Sequence, residues 1–309
     1  MNYRSTLVAV VQTLALFVSG FFLPIVGWIF TPIPLVLVMV RTSRTEGLTA
    51  LGISTLIIIF LGGWHIAFFF LLVFGIIAVC IAESLMRLWK PEFAVLMGGL
   101  IPVVIAAAVM AYYFSHIGKD PVAVVESFFQ MQRSEAAKLY GGLGLSEMSA
   151  TISSVPDSSI HFFVLLLPCI VTLTLASVAA CCYSLSRSLI VRRPGAGPKL
   201  KPLLLASWYA PDSWVWGLIV ALTLFLVPTE MARFTGWNLV IIFAALYLVQ
   251  GIALADYFLR FKIHLNAVIR AIVHIIILIL PPLTAGAIVF GIMDIWADFR
   301  KVRGPILKM

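Results

Sequence analysis

Four ionisable side chains near the end of the chain stand at spacings that could do chemistry. Arg270 and His274 are four residues apart, and so are Asp294 and Asp298; on a helix each pair shares a face. Both pairs lie in apolar sequence, where a charge is expensive and its default role is paired or functional. Pro281-Pro282 stands between them. Proline lacks an N–H and clashes with the preceding turn, so residues 265–299 are expected to fold as a hairpin of two short helices. Arg270 lies eleven residues before Pro281 and Asp294 twelve after Pro282, which at about 1.5 Å per residue puts them at similar depth. The expectation is a structural Arg270–Asp294 ion pair joining the two arms. Proton or ion relay through His274 is the chemical alternative. Asp256 with Arg260, and Glu83 with Arg87, repeat the spacing and read as structural pairs. Gln250-Gly251 would allow close helix approach with an inter-helix hydrogen bond.

A second set is aromatic. Trp28 lies in a proline-rich bend, Gly62-Gly63-Trp64-His65 reads as a turn, and Tyr112, Tyr113 and His116 end an apolar run. In the topology derived below, His161, Glu230, Arg233 and Trp237 come to the same side. Aromatic belts collect at membrane interfaces in any case. The functional alternative is a pocket in which Trp28, Trp64, His65, Tyr113, His161 and Arg233 stack a small molecule and orient its polar groups. Glycines 62 and 63 would let a ligand approach the backbone.

Stronger motifs are missing. The chain has no GxxxxGK[ST], HExxH or GxSxG, and no GxGxxG followed by an acidic partner. It therefore has no Walker-type cradle for ATP, and no strong enzymatic signal is left. Cys80, Cys169, Cys181 and Cys182 sit in apolar stretches without CxxC or Cys/His spacing and read as small buried hydrophobes. No metal, cofactor or catalytic residue is expected.

The elements that must position these residues follow from composition. Of 309 residues, 62% are hydrophobic and 11% charged, and the mean hydropathy is +1.10. Soluble domains carry about 25% charged residues, so too little polar surface exists here for water, and the disorder signature is absent. The class is an all-α polytopic membrane bundle. Spans of the required 17 or more residues fall at about 6–23, 45–62, 65–87, 93–115, 161–186, 213–229 and 238–259. Residues 24–42 read as a bend followed by a short returning helix. With the 265–299 hairpin the count is eight to ten membrane segments, some short or broken at prolines.

The net charge of +8 suggests nucleic acid until its positions are read. Arg41, Arg44, Arg87, Lys90, Arg187, Arg192, Arg193, Lys199, Lys201, Arg260, Lys262, Arg300, Lys301, Arg303 and Lys308 cluster at the ends of apolar runs. The positive-inside rule explains them, and no nucleic-acid partner is expected. Both termini are then cytoplasmic, residues 192–212 form a basic cytoplasmic loop, and the net acidic loop at about 116–160 is external. Pro121 starts an amphipathic helix there, ended near Tyr140 by Gly141-Gly142-Leu143-Gly144. Arg4 before an apolar run without a clean cleavage site reads as an uncleaved first helix.

Gln250-Gly251-Ile252-Ala253, and Gly291-Ile292-Met293-Asp294-Ile295-Trp296-Ala297-Asp298-Phe299-Arg300-Lys301 with its G-x-x-D-x-x-x-D-F-R-K pattern, resemble the YybS-type family of bacterial membrane proteins. Residues 1–191 are similar to the six-segment S components of energy-coupling factor transporters. That likeness rests on Thr31-Pro32-Ile33-Pro34-Leu35, Arg41 and Glu46-Gly47. It implies an outward-facing ligand site and a membrane coupling subunit docked on small residues of the first helix, here Ser5, Ala9 and Thr13. Residues 213–309 add further membrane helices. The leading expectation is a transport-type protein of the bacterial inner membrane, binding a small molecule on its outer side and working with a separate energising partner or alone. The alternatives are a membrane scaffold recruiting envelope proteins, and an intramembrane enzyme using His274 with Asp294. The lipid bilayer is a partner in every case.

Overall fold

The computed structural model describes residues 3–192, 198 and 200–300. Arg193, Lys199, Lys301, Arg303 and Lys308, part of the basic set above, lie outside the described residues. Those that are described form helices and connections without a strand. They pack as two compact units. Unit 1 takes the described residues up to Trp89 together with Phe93–Cys182, and unit 2 takes Lys90–Glu92 with the described residues from Tyr183 onward.

Unit 1 opens with α1 (Tyr3–Phe22), which buries Thr6, Ala9, Val10, Thr13, Phe17 and Gly20. Spacings of three and four residues place these on one helical stripe. The proline-rich bend gives two short helices, α2 (Pro24–Phe30) and α3 (Ile33–Arg41), each with proline in its first turn. Proline suits that position because the first-turn N–H has no helical partner to lose. Next, α4 (Arg44–Phe70) starts at Ser43, whose hydroxyl accepts the Glu46 N–H at 3.2 Å. A π-helical turn, Leu71–Gly75, leads into α5 (Ile76–Met86).

The stretch Arg44–Met86 is not one long rod. Gly63 sits at φ 81°, ψ 171°, a region essentially reserved for glycine, and the chain folds back there. A straight helix would set residues 44 and 83 about 58 Å apart. Instead Arg44 Nε lies 2.9 Å from Glu83 Oε1, and a Cβ on Gly75 would stand 3.3 Å from the Leu51 side chain. The result is a helical hairpin with Gly62–His65 at its apex, as the reading of separate spans at 45–62 and 65–87 requires.

Most of two further long helices, α6 (Pro91–Ile117) from Phe93 and α9 (Asp157–Arg192) as far as Cys182, completes the unit, with Pro102 and Pro168 in their interiors. They approach closely where Gly99 meets Ala176, since a Cβ on Gly99 would sit 3.0 Å from the Ala176 Cα. Between them lie α7 (Pro121–Gly142), capped by the Asp120 carboxylate, and α8 (Ser146–Ser153). The short helix α8 has no counterpart in the sequence reading.

Unit 2 contains α10 (Trp214–Thr223), α11 (Glu230–Phe261), α12 (Ala267–Ile279) and α13 (Pro281–Ala297). The span expected at 213–229 is only a short apolar helix, Trp214–Leu226, because the chain leaves helical geometry at Val227 before Pro228. A residue preceding proline is pushed toward extended backbone. The same effect makes the 265–299 hairpin: Leu280, at φ −92° and ψ 108°, breaks the helix before Pro281-Pro282, and α12 and α13 meet at 102°. Among the described residues five helical stretches, Arg44–Met86 counted as one, are long and apolar enough to cross a membrane, or six if the bent α12–α13 pair is one span.

Candidate functional site

The strongest polar constellation lies in unit 2, where α11 and α13 run in close contact. Gly251 and Gly291 permit the approach. A Cβ on Gly251 would fall 1.9 Å from the Ala287 carbonyl oxygen, and one on Gly291 2.1 Å from that of Tyr247. With the backbones this near, Gln250 reaches across and its Nε2 donates to Asp294 Oδ2 at 3.4 Å. Asp298 then adopts a left-handed conformation, φ 40°, which turns the chain back over the end of α13. The turn delivers the Phe299 N–H to Asp294 Oδ1 at 3.1 Å. It also brings the Arg300 guanidinium to Oδ2, from Nη2 at 2.6 Å and from Nε at 3.1 Å. Both side chains of this ion pair are 0% exposed.

Arg300 also fastens a third segment. Its Nη1 donates to the carbonyls of Ala206 at 3.1 Å and Trp208 at 2.7 Å, and its guanidinium lies over the Tyr209 ring. Gln250 Oε1 accepts the Ala210 N–H at 3.3 Å, and the Tyr209 hydroxyl donates to the Ile295 carbonyl at 3.3 Å. The end of the stretch read as a basic loop, residues 205–210, is thus a strap built into the core of unit 2. A buried ion pair needs further hydrogen bonds to offset its desolvation, and this one has them on both partners. Asp294, with its carboxylate filled, serves as an anchor for these segments.

The Arg270–Asp294 pair expected from depth is corrected by this arrangement. Asp294 is taken by Arg300, while Arg270 Nη1 donates to Asp256 Oδ1 at 2.7 Å. Depth was the wrong criterion: pairing depends on the direction in which each side chain leaves its helix. Asp256 likewise prefers Arg270 on the neighbouring helix to Arg260 on its own. Glu83 does pair with Arg87, at 3.0 Å, and adds Arg44.

The aromatic set is distributed over several neighbourhoods. Trp64 and His65 stack on one another at the hairpin apex, with ring centroids 3.7 Å apart. Trp28 packs edge-on against Phe21 and against Phe69 of the same hairpin. Tyr113 is exposed and touches Phe114, while Tyr112 stacks on His116. His161 is bonded to Glu126 of α7, beside an Arg133–Asp157 pair at 2.9 Å. Arg233 is exposed on α11 and belongs to unit 2.

A family model described as "Predicted membrane protein (DUF2232)" matches residues 11–295. The chain belongs to the DUF2232 family. No curated protein and no solved structure matches it. The matched region of this DUF2232 chain holds every helix described above except the first residues of α1 and the last of α13, and it includes Gln250, Gly251, Gly291 and Asp294. Sequence reading had singled out Gln250-Gly251 and the G-x-x-D-x-x-x-D-F-R-K segment as separate strings. In this chain they are the two halves of one buried hydrogen-bonded cluster. The strap at 205–210 was missed, although an apolar run held between Pro202 and Pro211 was a signal for it. The small-residue face of α1 points inward in this DUF2232 chain: Ala9 is 1% exposed and Thr13 0%, and the Ser5 hydroxyl donates to Glu46 at 3.3 Å.

Proposed function

We propose that this membrane protein is of transport type and binds a small molecule at the apex of the Gly63 hairpin. The reading takes that end as external, the membrane as the bacterial inner membrane and both termini as cytoplasmic. It includes the likeness to the YybS-type family and, over residues 1–191, to S components. One observation carries it. The apex presents a stacked indole–imidazole pair with Trp64 64% exposed, beside a glycine whose missing Cβ would meet nothing within 4 Å. A planar or partly polar solute can reach ring faces, an imidazole and bare backbone there together. Trp28, Tyr113 and His161, all of unit 1, are the further residues of the proposed site. Without a Walker motif, energy would come from a separate partner or from the chain's own rocking. Because the Ser5–Ala9–Thr13 face is buried, a coupling subunit would have to use another surface.

Mass spectrometry of the purified chain is the direct test. A small molecule is expected to copurify and to be lost, at unchanged expression, from a Trp64→Ala/His65→Ala double variant. Retention of that molecule by the variant would remove the apex from the site. An envelope protein copurifying instead would favour the scaffold reading, for which α7 and α8 offer exposed Phe128, Met131, Leu139 and Met148.

Orientation has its own check. A thiol placed at exposed Ser146 should react with an impermeant reagent on intact cells, and one at Lys201 should react only after lysis. The reverse pattern would invert the proposed topology.

A further inference from the structure

Apart from the Asp294–Arg300 cluster, α11 and α12 bring three titratable side chains together. The Asp256 carboxylate is 6% exposed and its Oδ1 faces a standing cation, Arg270 Nη1 at 2.7 Å, and a side chain able to become one, His274 Nε2 at 3.7 Å. His274 Nε2 has no hydrogen-bond partner, and Arg270 Nε has none either. A buried ring nitrogen without a partner is costly, and this one stands less than 1 Å beyond bonding distance of an anionic oxygen.

We propose that Asp256, Arg270 and His274 form an intramembrane proton-binding site, with the proton carried on His274 Nε2. Arginine stays charged in proteins, so Arg270 and Asp256 together are neutral and the imidazole is the group free to change charge. A proton from water forms an N–H bond on Nε2, and that N–H then donates to Asp256 Oδ1, satisfying the orphan atom by closing the 3.7 Å gap. The site thereby alternates between zero and one positive charge while Asp256 bridges α11 and α12. Arg270 and His274 keep 16% and 19% of their side chains exposed.

The surrounding charges do not compete. The titratable group of α13 is Asp294, which is held by Arg300. On α11 the next turn carries Tyr257 and Arg260, the latter over the Phe261 ring. Lys262 and His264 lie in the exposed connection to α12. If the chain is of transport type, as proposed above, proton loading would supply its coupling ion; the titration itself stands apart from that proposal.

The test is nitrogen-15 NMR of ring-labelled histidine in the full chain, held in lipid nanodiscs. Of the five histidines, His274 is the signal lost in His274→Gln. It is expected to gain and lose its proton reversibly between about pH 4.5 and 8.5. Asp256→Asn should cut its protonated fraction at about pH 6 roughly tenfold, because the imidazolium loses its counter-charge. Arg270→Lys should leave that fraction within about twofold, since the charge beside the ring is kept. If Asp256→Asn does not fold, the wild-type Asp256 carboxyl carbon should shift along the same titration curve as the His274 nitrogens. A His274 that stays neutral throughout, a fraction indifferent to Asp256→Asn, or an Asp256 carbon that does not follow the ring would each overturn the site. None of these results depends on a ligand at Trp64 and His65, so failure of the two proposals can be told apart.

Discussion

Arg300→Leu is expected to destabilise the folded chain by about 3–5 kcal/mol, the usual consequence of leaving one member of a buried ion pair alone. Asp294 would keep only the Gln250 amide and the Phe299 N–H, at 3.4 and 3.1 Å, with no route to water. Asp294→Leu should cost less. The Arg300 it strands still has the carbonyls of Ala206 and Trp208 and the Tyr209 ring to receive it. The double leucine variant should recover part of the loss but not all, because the two carbonyls of the strap then go unpaired. Melting temperatures of the four proteins in one detergent close the cycle. Strict additivity of the single effects would mean that the two residues do not interact.

The second large effect is steric. Gly251→Leu puts a side chain where even a Cβ would lie 1.9 Å from a backbone oxygen, and backbone cannot swing aside as a side chain can. Gly251→Ala alone should cost about 1–3 kcal/mol as overpacking. The leucine variant should separate α11 from α13 and sharply reduce the yield of monodisperse protein. Gly286 on α13 is the control, since a Cβ there meets nothing within 4 Å, and Gly286→Ala should change stability by no more than about 1 kcal/mol. Equal tolerance at both positions would contradict the packing described.

Much of the fold was legible because membrane spans announce themselves by length and apolarity, and because proline and glycine mark their ends. The apex at Gly63 and the break at Leu280 follow from local backbone chemistry, which a sequence carries in full. The short Trp214–Leu226 helix was overestimated: hydropathy continues to Val227 even though the helix does not. Pairing was far less legible. Asp294 meets Arg300 only because Asp298, not a glycine, takes a left-handed turn, and no composition rule points to that. Arg270 finds Asp256 across a helix connection, where spacing along one helix gives no guidance. Of the aromatic set, the local Trp64–His65 stack was readable from adjacency, while the Trp28–Phe69 contact needed the hairpin to exist first.

The π-helical turn at Leu71–Gly75 has a bearing on how this arm tolerates change in chain length. The Ile76 N–H reaches back five residues to the Leu71 carbonyl. Phe70, Phe74, Ile77, Ile81 and Leu85 all lie within 2% of complete burial. Fifteen residues separate the first from the last, whereas four ordinary turns take about 14.4, a mismatch of about 60°. One wide turn absorbs it, so the arm holds a spare residue stored as slack. Losing a residue at that turn would let it tighten into α-helix with Glu83 still facing Arg44. Losing one further along, inside α5, would swing Glu83 about 100° away. A deletion therefore has one cheap address on this arm, and the ion pair that closes the hairpin depends on its falling there.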